Sequence, residues 1–429
     1  MRAAIKAGKG AARALFTCPA AICLLLCACG DDSHGSNRNQ NLNITIDPDC
    51  ASVRLTHYTA SAGGWCEFRR DLAVLPASVQ SGLTLAIAEP WAGGSYQGAF
   101  GEACGECWEI STSWATEVVM VHDLCPIQGN PICAGGHFHF DLASEAAEAL
   151  QGGGLDAASA RRVPCPVTGN VHVSISDWNE WGYQRLAFVN HRVPIRSASI
   201  RATPDGSFIP FERSGGAWQV LDGPRPGDGD GFAYQIVSAQ GQTIESANDL
   251  AFQDVTPGGP ALVHDLGAQL DDLSPPEGVC EYLPPGDVYK DGWGGIDEVR
   301  WQPNPWGDTQ VAETSAGCRN GSTSCLRVTR MGNWSGMHLY YWQGFPRTAF
   351  SSLSIFARTE SASLELRSGP SHEGAVCGEQ LVTVGAEGWT EITFDLAAAC
   401  SEAPLLSSVT FQSGSAPVPL LLDDIQFSP

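Results

Sequence analysis

Lysine is almost missing from this chain of 429 residues: beyond the first ten positions it occurs only at Lys290. The 47 acidic residues outnumber the 24 basic ones and give a formal net charge of −23. Such a surface repels polyanions, which argues against nucleic acid and acidic wall polymers as partners. Neutral polysaccharides such as cellulose, other glucans and xylan are better partners. The alternative is that the acidic composition serves only to keep the protein soluble.

Long apolar runs are also absent after the N-terminus. The run Ala20 to Leu26 follows basic residues and no acids, and it is too short to span a bilayer, so residues 1–29 read as a signal peptide. The leader ends in a sequence similar to a bacterial lipobox, which predicts lipidation at Cys29. Residues 30–49 are polar and read as a flexible tether. We therefore expect an outer-membrane or cell-surface lipoprotein that touches the membrane only through its lipid; plain secretion is the alternative.

Cysteine, in contrast, is plentiful, with sixteen in the chain and four of these in the leader. The other twelve form an even set in an exported chain, which predicts disulfides. Two local pairs are expected, Cys318 with Cys325 and Cys377 with Cys400. Seven cysteines between positions 50 and 165 leave one over, and Cys50 is a candidate to reach Cys280. The remaining connectivity stays open.

Helical periodicity is scarce, and Gly and Pro interrupt many short alternating runs. This pattern predicts an all-β chain, with a single clear helix candidate from Ala143 to Gln151. We place the domain boundaries at 50–166, 167–255 and 287–429, with a connector rich in Pro, Gly and Asp over 256–286. Regularly spaced strands predict a β-sandwich for the last domain.

Asp141 is the most informative carboxylate, because Phe138, Phe140 and Leu142 surround it with apolar groups. Such surroundings raise a carboxyl pKa and keep it protonated, as a general acid requires. The alternative is that Asp141 caps the following helix. A metal site formed by His137, His139 and Asp141 on one strand face is a weaker hypothesis.

Four segments resemble the expansins, wall-loosening proteins related to the family-45 endoglucanases. They are His139-Phe140-Asp141-Leu142, Val121-His122-Asp123-Leu124-Cys125-Pro126, Cys104-Gly105-Glu106-Cys107-Trp108-Glu109-Ile110 and Arg161-Arg162-Val163-Pro164-Cys165. The resemblance implies a six-stranded double-psi β-barrel with no metal. It also implies that Asp141 is the acid-like residue and that Asp123 is a second polar residue lining a glucan groove.

This chain differs from the endoglucanases at the position of their catalytic base. Their Thr-x-Tyr-x-Asp segment resembles Thr56-His57-Tyr58-Thr59-Ala60, so Ala60 stands where the base would be. A methyl group cannot accept a proton, and nothing in the sequence places Asp123 or Glu67 in that role. We therefore expect a nonhydrolytic protein in which Tyr58, Thr59, Asp123 and Asp141 bind glucan hydroxyls.

The second domain resembles that of bacterial expansins through the segment Phe188-Val189-Asn190-His191-Arg192-Val193-Pro194-Ile195. The resemblance implies an immunoglobulin-like β-sandwich that binds cellulose through a row of aromatic side chains. Flat aromatic rings stack on the apolar faces of sugars. Trp181, Tyr183 and Trp218 are the candidates here, although the row departs from the family pattern.

The third domain opens with Val288-Tyr289-Lys290-Asp291-Gly292-Trp293 and closes with Leu422-Asp423-Asp424-Ile425. Both segments look like those of jelly-roll carbohydrate-binding modules. That resemblance implies a structural calcium near the terminal aspartates, with Asp423 as the candidate ligand. The aromatic candidates for sugar contact are Trp293, Trp301, Trp306, Trp334, Tyr340, Tyr341 and Trp342.

The leading hypothesis is a monomeric, expansin-like protein that needs no cofactor and loosens wall polysaccharide without cutting it. One alternative is an endoglucanase or lytic transglycosylase with Asp141 as general acid, since a lytic transglycosylase needs only one acidic residue. The other is a carbohydrate-binding surface adhesin. These hypotheses differ in whether bonds are broken and in whether Asp141 matters.

Overall fold

The computed structural model describes residues 50–93, 100–134, 138–152, 154, 156–255, 262–296, 299–332, 334–372, 374–414 and 418–429. In these ranges the α-helices are α1 (Ala77–Gln80), α2 (Ser144–Ala149) and α3 (Leu396–Ala399). Short 3₁₀ helices cover Glu89–Trp91, Pro131–Ala134, Phe252–Asp254 and Arg347–Ala349. None of the helices described has the length and apolar character needed to cross a membrane. The helix predicted from Ala143 to Gln151 exists but is shorter, Ser144–Ala149, and Gln151 beyond its end has a φ of +51°.

The first domain is a closed six-stranded barrel with the order β1-β5-β2-β4-β3-β6. Its strands are β1 (Ala51–Tyr58), β2 (Thr84–Ala88), β3 (Cys107–Ser111), β4 (Thr116–Cys125), β5 (His139–Ala143) and β6 (Asp156–Val163). The pairs β1/β5 and β2/β4 are parallel, and the other pairs are antiparallel. Leu55, Phe140 and Leu142 fill the interior and are fully buried.

The second domain packs two antiparallel sheets around a core that includes Phe188, Phe232 and Tyr234. One sheet has the order β10-β9-β13-β14, with β15 paired to β13, and the other has the order β11-β12-β8-β7-β16. The strands are β7 (His172–Trp178), β8 (Gln184–Val189), β9 (Ile195–Thr203), β10 (Ile209–Pro210), β11 (Glu212–Ser214), β12 (Ala217–Val220), β13 (Gly231–Ser238), β14 (Thr243–Glu245), β15 (Leu250–Ala251) and β16 (Leu262–Asp265).

The predicted boundary at residue 255 was too early, because β16 lies in the predicted connector and pairs with β7. Leu266 and Leu270, which follow it, are buried in the core of the second domain. The Pro and Gly residues of this segment suggested a linker. The edge strand within it was missed because four residues are too few to show an alternating pattern.

The third domain is a second sandwich of two six-stranded sheets with a small β18-β19 hairpin. One sheet has the order β21-β22-β30-β24-β28, with β17 paired to β30; the other has the order β20-β23-β29-β25-β26, with β27 paired to β25. The strands are β17 (Asp287–Tyr289), β18 (Gly295–Ile296), β19 (Val299–Arg300), β20 (Gln302–Trp306), β21 (Gln310–Thr314), β22 (Cys325–Thr329), β23 (Gly336–Pro346), β24 (Ser352–Thr359), β25 (Leu364–His372), β26 (Ala375–Val376), β27 (Gln380–Val384), β28 (Thr390–Asp395), β29 (Leu405–Ser413) and β30 (Leu420–Ser428). The predicted all-β class, a barrel followed by two sandwiches, is confirmed.

Six disulfides join the twelve cysteines that follow the leader, and three of them were predicted. The confirmed pairs are Cys50–Cys280, Cys318–Cys325 and Cys377–Cys400. The three other pairs staple the barrel: Cys66–Cys104, Cys107–Cys165 and Cys125–Cys133. Cys104 and Cys107 therefore pair with different partners and do not form a zinc or redox motif.

Contacts between the barrel and the rest of the chain are polar as well as covalent. The amide of Gln343 in the third domain donates to the carbonyl of Ala157 at 2.8 Å and accepts from its N–H at 3.1 Å. Arg161 of the barrel donates to the carbonyls of Glu277 and Gly278 in the connector. The connector is therefore fastened to the barrel beside the Cys50–Cys280 bridge.

Candidate functional site

The strand register brings the predicted polar residues of the barrel together on one face. Thr56 of β1 lies opposite Asp141 of β5, and Ala86 of β2 lies opposite both Asp141 and Asp123 of β4. Because adjacent strands are about 4.8 Å apart, the two aspartates stand about 10 Å apart, with Ala86 between them. These residues alternate with those that fill the barrel interior, and the buried Ala86 places only a methyl group between the two carboxylates. We call the space between the two carboxylates the groove.

Asp141 is 8 % exposed and makes one short hydrogen bond, which its Oδ1 accepts from the Thr56 hydroxyl at 2.6 Å. Its Oδ2 lies 3.7 Å from the Cys125 sulfur, a disulfide atom that carries no hydrogen to donate. Burial raises the pKa of Asp141 above the ordinary value, and the charge of Asp123 adds to the rise, whereas the Thr56 hydrogen bond opposes it. Burial thus shifts the pKa of this carboxyl in the direction that a general acid requires.

A chain of hydrogen bonds leads to Asp141 from the barrel wall. Arg54 Nε donates to His139 Nδ1 at 3.1 Å, so this nitrogen has no hydrogen in the neutral ring. The hydrogen is then on Nε2, which lies 2.8 Å from the Thr56 hydroxyl and donates to it. Thr56 is left with its own hydrogen to give to Asp141. Arg54 thus fixes the direction of every bond in the series.

Asp123 lies on the other side of the groove and is held by backbone groups. Its Oδ1 accepts from the N–H groups of Trp65 and Leu124, both at 2.9 Å, and its Oδ2 lies 3.4 Å from the Tyr58 hydroxyl. Burial, together with the negative charge of Asp123, raises the pKa of Tyr58, so the phenol stays protonated. Tyr58 and Asp123 are therefore a donor and acceptor pair facing the groove.

The position predicted for a catalytic base offers no carboxylate. Thr59 is exposed and Ala60 is half-buried, just beyond the end of β1. Glu67, the other carboxylate considered for this role, pairs with Arg185 of the second domain at 2.7 Å. Glu67 therefore forms an ion pair between the first and second domains.

The aromatic candidates of the second domain differ in exposure. Trp181 is 70 % exposed, and the side chain of Asn179 holds the turn by accepting from the N–H groups of Trp181 and Tyr183. Tyr183 is half-buried. Trp218 is only 4 % exposed and lies 3.6 Å beneath the Arg213 guanidinium, so the prediction that it contacts substrate was wrong. Its strand turns Trp218 into the core.

Asp423, the residue predicted to bind calcium, is held by hydrogen bonds within the third domain. Asp423 is fully buried and accepts from the backbone N–H groups of Arg319 at 3.0 Å and Asp424 at 2.9 Å. Arg319 also pairs with Asp424. Calcium needs six to eight oxygen ligands. The groups around Asp423 include the Ser322 hydroxyl and the Asp424 carboxylate, together with N–H donors and the Cys318–Cys325 disulfide, so the calcium site stays a prediction.

Several other predicted site residues are buried in the core, lie beside a disulfide or fall outside the described residues. Trp301 and Tyr341 of the third domain are fully buried core residues, so they cannot be sugar contacts. The one metal-like cluster in the described part of the barrel, Cys125 with Cys133 and Asp141, contains a disulfide in place of free thiolates. The signal peptide with Cys29, the tether and His137 lie outside the described residues.

Arg54 was not predicted as a site residue, and His139 was considered only as a metal ligand. In β1 the buried apolar residues Val53 and Leu55 alternate with Arg54 and Thr56. That period of two was the available signal, because it puts Arg54 and Thr56 on the groove side. The partner strand, and so the contact with His139, could not be read from it.

Comparison with known proteins supports the predicted resemblance of the first domain to expansins. Residues 51–169 match the family described as "EXPB1-like domain 1". Expansin-like protein 2 of Dictyostelium discoideum is 34% identical over 157 residues, which are 35% of this chain and 36% of that protein. Expansin-like protein 3 of the same organism is 32% identical over 164 residues, which are 37% of this chain and 45% of that protein. The chain therefore spans less than half the length of these two relatives.

One solved structure aligns with part of this chain. The apo expansin of Clavibacter michiganensis is 20% identical and aligns with 51% of this chain and 97% of its own, with a TM-score of 0.38. The predicted resemblance to expansins is confirmed for residues 51–169, where the family match covers the barrel.

Proposed function

We propose that this chain, which carries an expansin-type first domain, binds a neutral wall polysaccharide in the groove between Asp141 and Asp123 and loosens the wall without cleaving it. The observation that carries the proposal is the buried carboxyl of Asp141, bonded to Thr56, whose pKa is raised. The sequence has Ala60 where the resembling endoglucanase segment has its base. The names of the relatives, all expansin-like proteins, agree with it.

A protonated Asp141 can both donate and accept a hydrogen bond. Tyr58 and Asp123 supply another donor and acceptor across the groove. Such a groove can exchange the hydrogen bonds between two glucan chains for bonds to the protein. No covalent bond changes in this process, so it needs no water-activating base.

The exposed ring of Trp181 supports a second contact with the polymer. An indole that is 70 % exposed, on a turn fixed by Asn179, presents a flat apolar surface to water. Sugar rings have apolar C–H faces that stack on such surfaces. We propose that Trp181, with Tyr183 beside it, holds the polysaccharide while the barrel disrupts it.

Export is part of the proposal. Six disulfides are stable in an oxidising compartment outside the cytosol. The basic and apolar leader with Cys29 agrees with a lipid-anchored or secreted monomer.

The test compares wild type with Asp141→Asn on amorphous cellulose and xylan. We expect wild-type protein to sediment with the polymer, to extend wall strips under load and to release no new reducing ends. Asp141→Asn should lose extension, whereas Asp249→Asn, which changes an exposed aspartate in the second domain, should keep it. Extension by Asp141→Asn equal to that of wild type would contradict the proposal.

A second candidate function, a lytic transglycosylase or an endoglucanase, is favoured by the same raised pKa of Asp141, because a lytic transglycosylase needs one acid only. Release of reducing ends or anhydro products by wild type, lost in Asp141→Asn, would replace the nonhydrolytic proposal with this one. An adhesin would instead bind equally well with and without the Asp141 carboxyl.

A further inference from the structure

A disulfide lies against the acid-like carboxyl of the groove. The Cys125–Cys133 bridge closes the loop that follows β4, and both cysteines are buried. Asp141 Oδ2 lies 3.7 Å from the Cys125 sulfur. The two sulfurs and one carboxylate oxygen of Asp141 all lie within 4.8 Å of one another. Two cysteine sulfurs and a carboxylate are a set of zinc ligands once the sulfurs are thiolates.

The distances in this cluster are close to those that a tetrahedral zinc ion requires. Zinc bonds of about 2.3 Å to sulfur and about 2.1 Å to a carboxylate oxygen place neighbouring sulfur and oxygen ligands about 3.6 Å apart. The Cys125 sulfur and Asp141 Oδ2 already have nearly this separation. Two sulfur ligands would stand about 3.8 Å apart. The Cα atoms of Cys125 and Cys133 are 6.0 Å apart, so rotation about side-chain bonds can give this spacing once the disulfide is open.

Hydrogen bonds that do not involve the sulfurs hold the loop between the two cysteines. The N–H of Ile127 donates to Glu89 Oε2 at 2.8 Å. Arg54 donates to the carbonyl of Ile132 from the neighbouring strand β1. Because these contacts are independent of the disulfide, they would keep both cysteines beside Asp141 after the bridge is opened.

Two of the three ligand groups are also oriented by a neighbour. Asn130 Nδ2 donates to the Cys125 sulfur, 3.4 Å away. Thr56 donates to Asp141 Oδ1, which leaves Oδ2 as the oxygen that faces the sulfur. Hydrogen bonds from residues just outside a set of metal ligands fix the orientation of those ligands and increase the affinity for the metal.

Of the three disulfides within the barrel, the Cys125–Cys133 bridge closes the shortest loop. Its cysteines are 8 positions apart, whereas the separations in the other two are 38 and 58. A disulfide stabilises a fold more when it closes a longer loop, so the barrel loses least stability when this bridge is opened. Ile132, next to Cys133, is 38 % exposed, so the bridge lies just beneath the surface.

We propose that a zinc site forms when a dithiol opens the Cys125–Cys133 disulfide, with Cys125, Cys133 and Asp141 as the protein ligands of one Zn²⁺ ion. The two sulfurs of the reductant join in a disulfide, and its two hydrogens pass to the cysteine sulfurs. Zinc then displaces these hydrogens as protons, together with any proton on Asp141. Water takes the fourth position of the tetrahedron.

Zinc bound to Asp141 would inactivate the groove. Asp141 Oδ2 would bond to the ion and could no longer bind a glucan hydroxyl, so reduction in the presence of zinc should abolish wall extension. This consequence rests on the proposed function, whereas the binding of zinc does not.

The test uses the chain without its leader, reduced with dithiothreitol and freed of it under nitrogen, with Co²⁺ as a coloured substitute for zinc. Cobalt bound to thiolates gives a charge-transfer absorption band, and zinc should remove the band by competition. We expect the band after reduction and not before it. Cys125→Ala with Cys133→Ala should abolish the band, and Asp141→Asn should lower the affinity for cobalt at least tenfold.

The matched control is the Cys318–Cys325 bridge of the third domain, which also lies beside a buried aspartate, Asp423. Asp423 already accepts two backbone N–H bonds, so Cys318→Ala with Cys325→Ala should leave the cobalt band unchanged. Alkylation of free thiols followed by peptide mass spectrometry shows which bridges have opened. Circular dichroism shows whether the reduced chain is folded.

Several results would overturn the inference. If the Cys125–Cys133 bridge stays closed until the chain unfolds, the site cannot form. A folded, reduced chain without the band, or a band with full affinity in Asp141→Asn, would reject these ligands. A band that is lost with Cys318 and Cys325 would place the ion in the third domain. In contrast, zinc binding as expected with unchanged wall extension would confirm the metal site and contradict the proposed role of Asp141 in the groove.

Discussion

Replacing Thr56 with valine is the most direct test of how the groove controls Asp141. The change keeps the shape of the side chain but removes the hydroxyl that donates to Asp141 at 2.6 Å and accepts from His139. A hydrogen bond to a charged group contributes about 1.5–3 kcal/mol, against about 0.5–1.5 kcal/mol for a neutral pair. The loss of the Asp141 bond should therefore be more severe when its carboxyl is ionised.

The sign of the pH dependence follows from the raised pKa of Asp141. The unfolded chain gives up this proton at a lower pH than the folded chain does. The stability that the protonated form contributes is thus present below the unfolded pKa and is lost as pH rises through the folded pKa. Thr56→Val removes the one hydrogen bond that lowers the pKa, so the pKa should rise further.

The assay is urea unfolding of wild type and Thr56→Val in acid and in mildly alkaline buffer, with the Asp141 carboxyl followed by carbon NMR. We expect a deficit of about 1.5–3 kcal/mol from the Asp141 bond when it is ionised, and a smaller one in acid. Thr56→Ser keeps the hydroxyl and should behave like wild type. An equal deficit at both pH values, or an Asp141 pKa that falls, would refute the proposed direction of the hydrogen bonds.

The other predictions concern the core of the second domain, the Cys50–Cys280 disulfide and the missing catalytic base. Trp218→Ala should lower the free energy of unfolding by about 3–5 kcal/mol in urea titrations, because the side chain is in the core, whereas Trp181→Ala should change it by less than about 0.5 kcal/mol and weaken sedimentation with cellulose. Replacing Cys50 and Cys280 with serine opens a loop with a sequence separation of 230 and should lower the unfolding free energy by up to about 5 kcal/mol; an unchanged melting curve would contradict this. Ala60→Asp should produce slow release of reducing ends from amorphous cellulose if the missing base is what prevents hydrolysis, and a folded variant that binds but releases none would reject that explanation.

Much of the barrel site could be predicted from the sequence, because the motif residues carry their own strand positions. The segment His139-Phe140-Asp141-Leu142 alternates between polar and apolar residues, and the structure places Asp141 on the groove side. The chain of bonds from Arg54 could not be predicted, since it depends on the parallel pairing of β1 with β5, residues that are 85 positions apart.

Exposure was the property that the sequence predicted least well. Trp181 and Trp218 look equivalent as aromatic residues in a β-rich segment, yet one is on a turn and the other points inward from β12. A shift of one residue in a strand reverses the face on which a side chain lies. The same reason separates the buried Tyr341 from its neighbours Tyr340 and Trp342.

The contact of Gln343 with Ala157 has a mechanical consequence. A force that pulled the third domain away from the barrel would act first on these contacts. The load would fall on the paired amide bonds at 2.8 and 3.1 Å and on the Cys50–Cys280 bridge between the barrel and the connector. Such a force would therefore be transmitted to the barrel through β6, which contains Ala157.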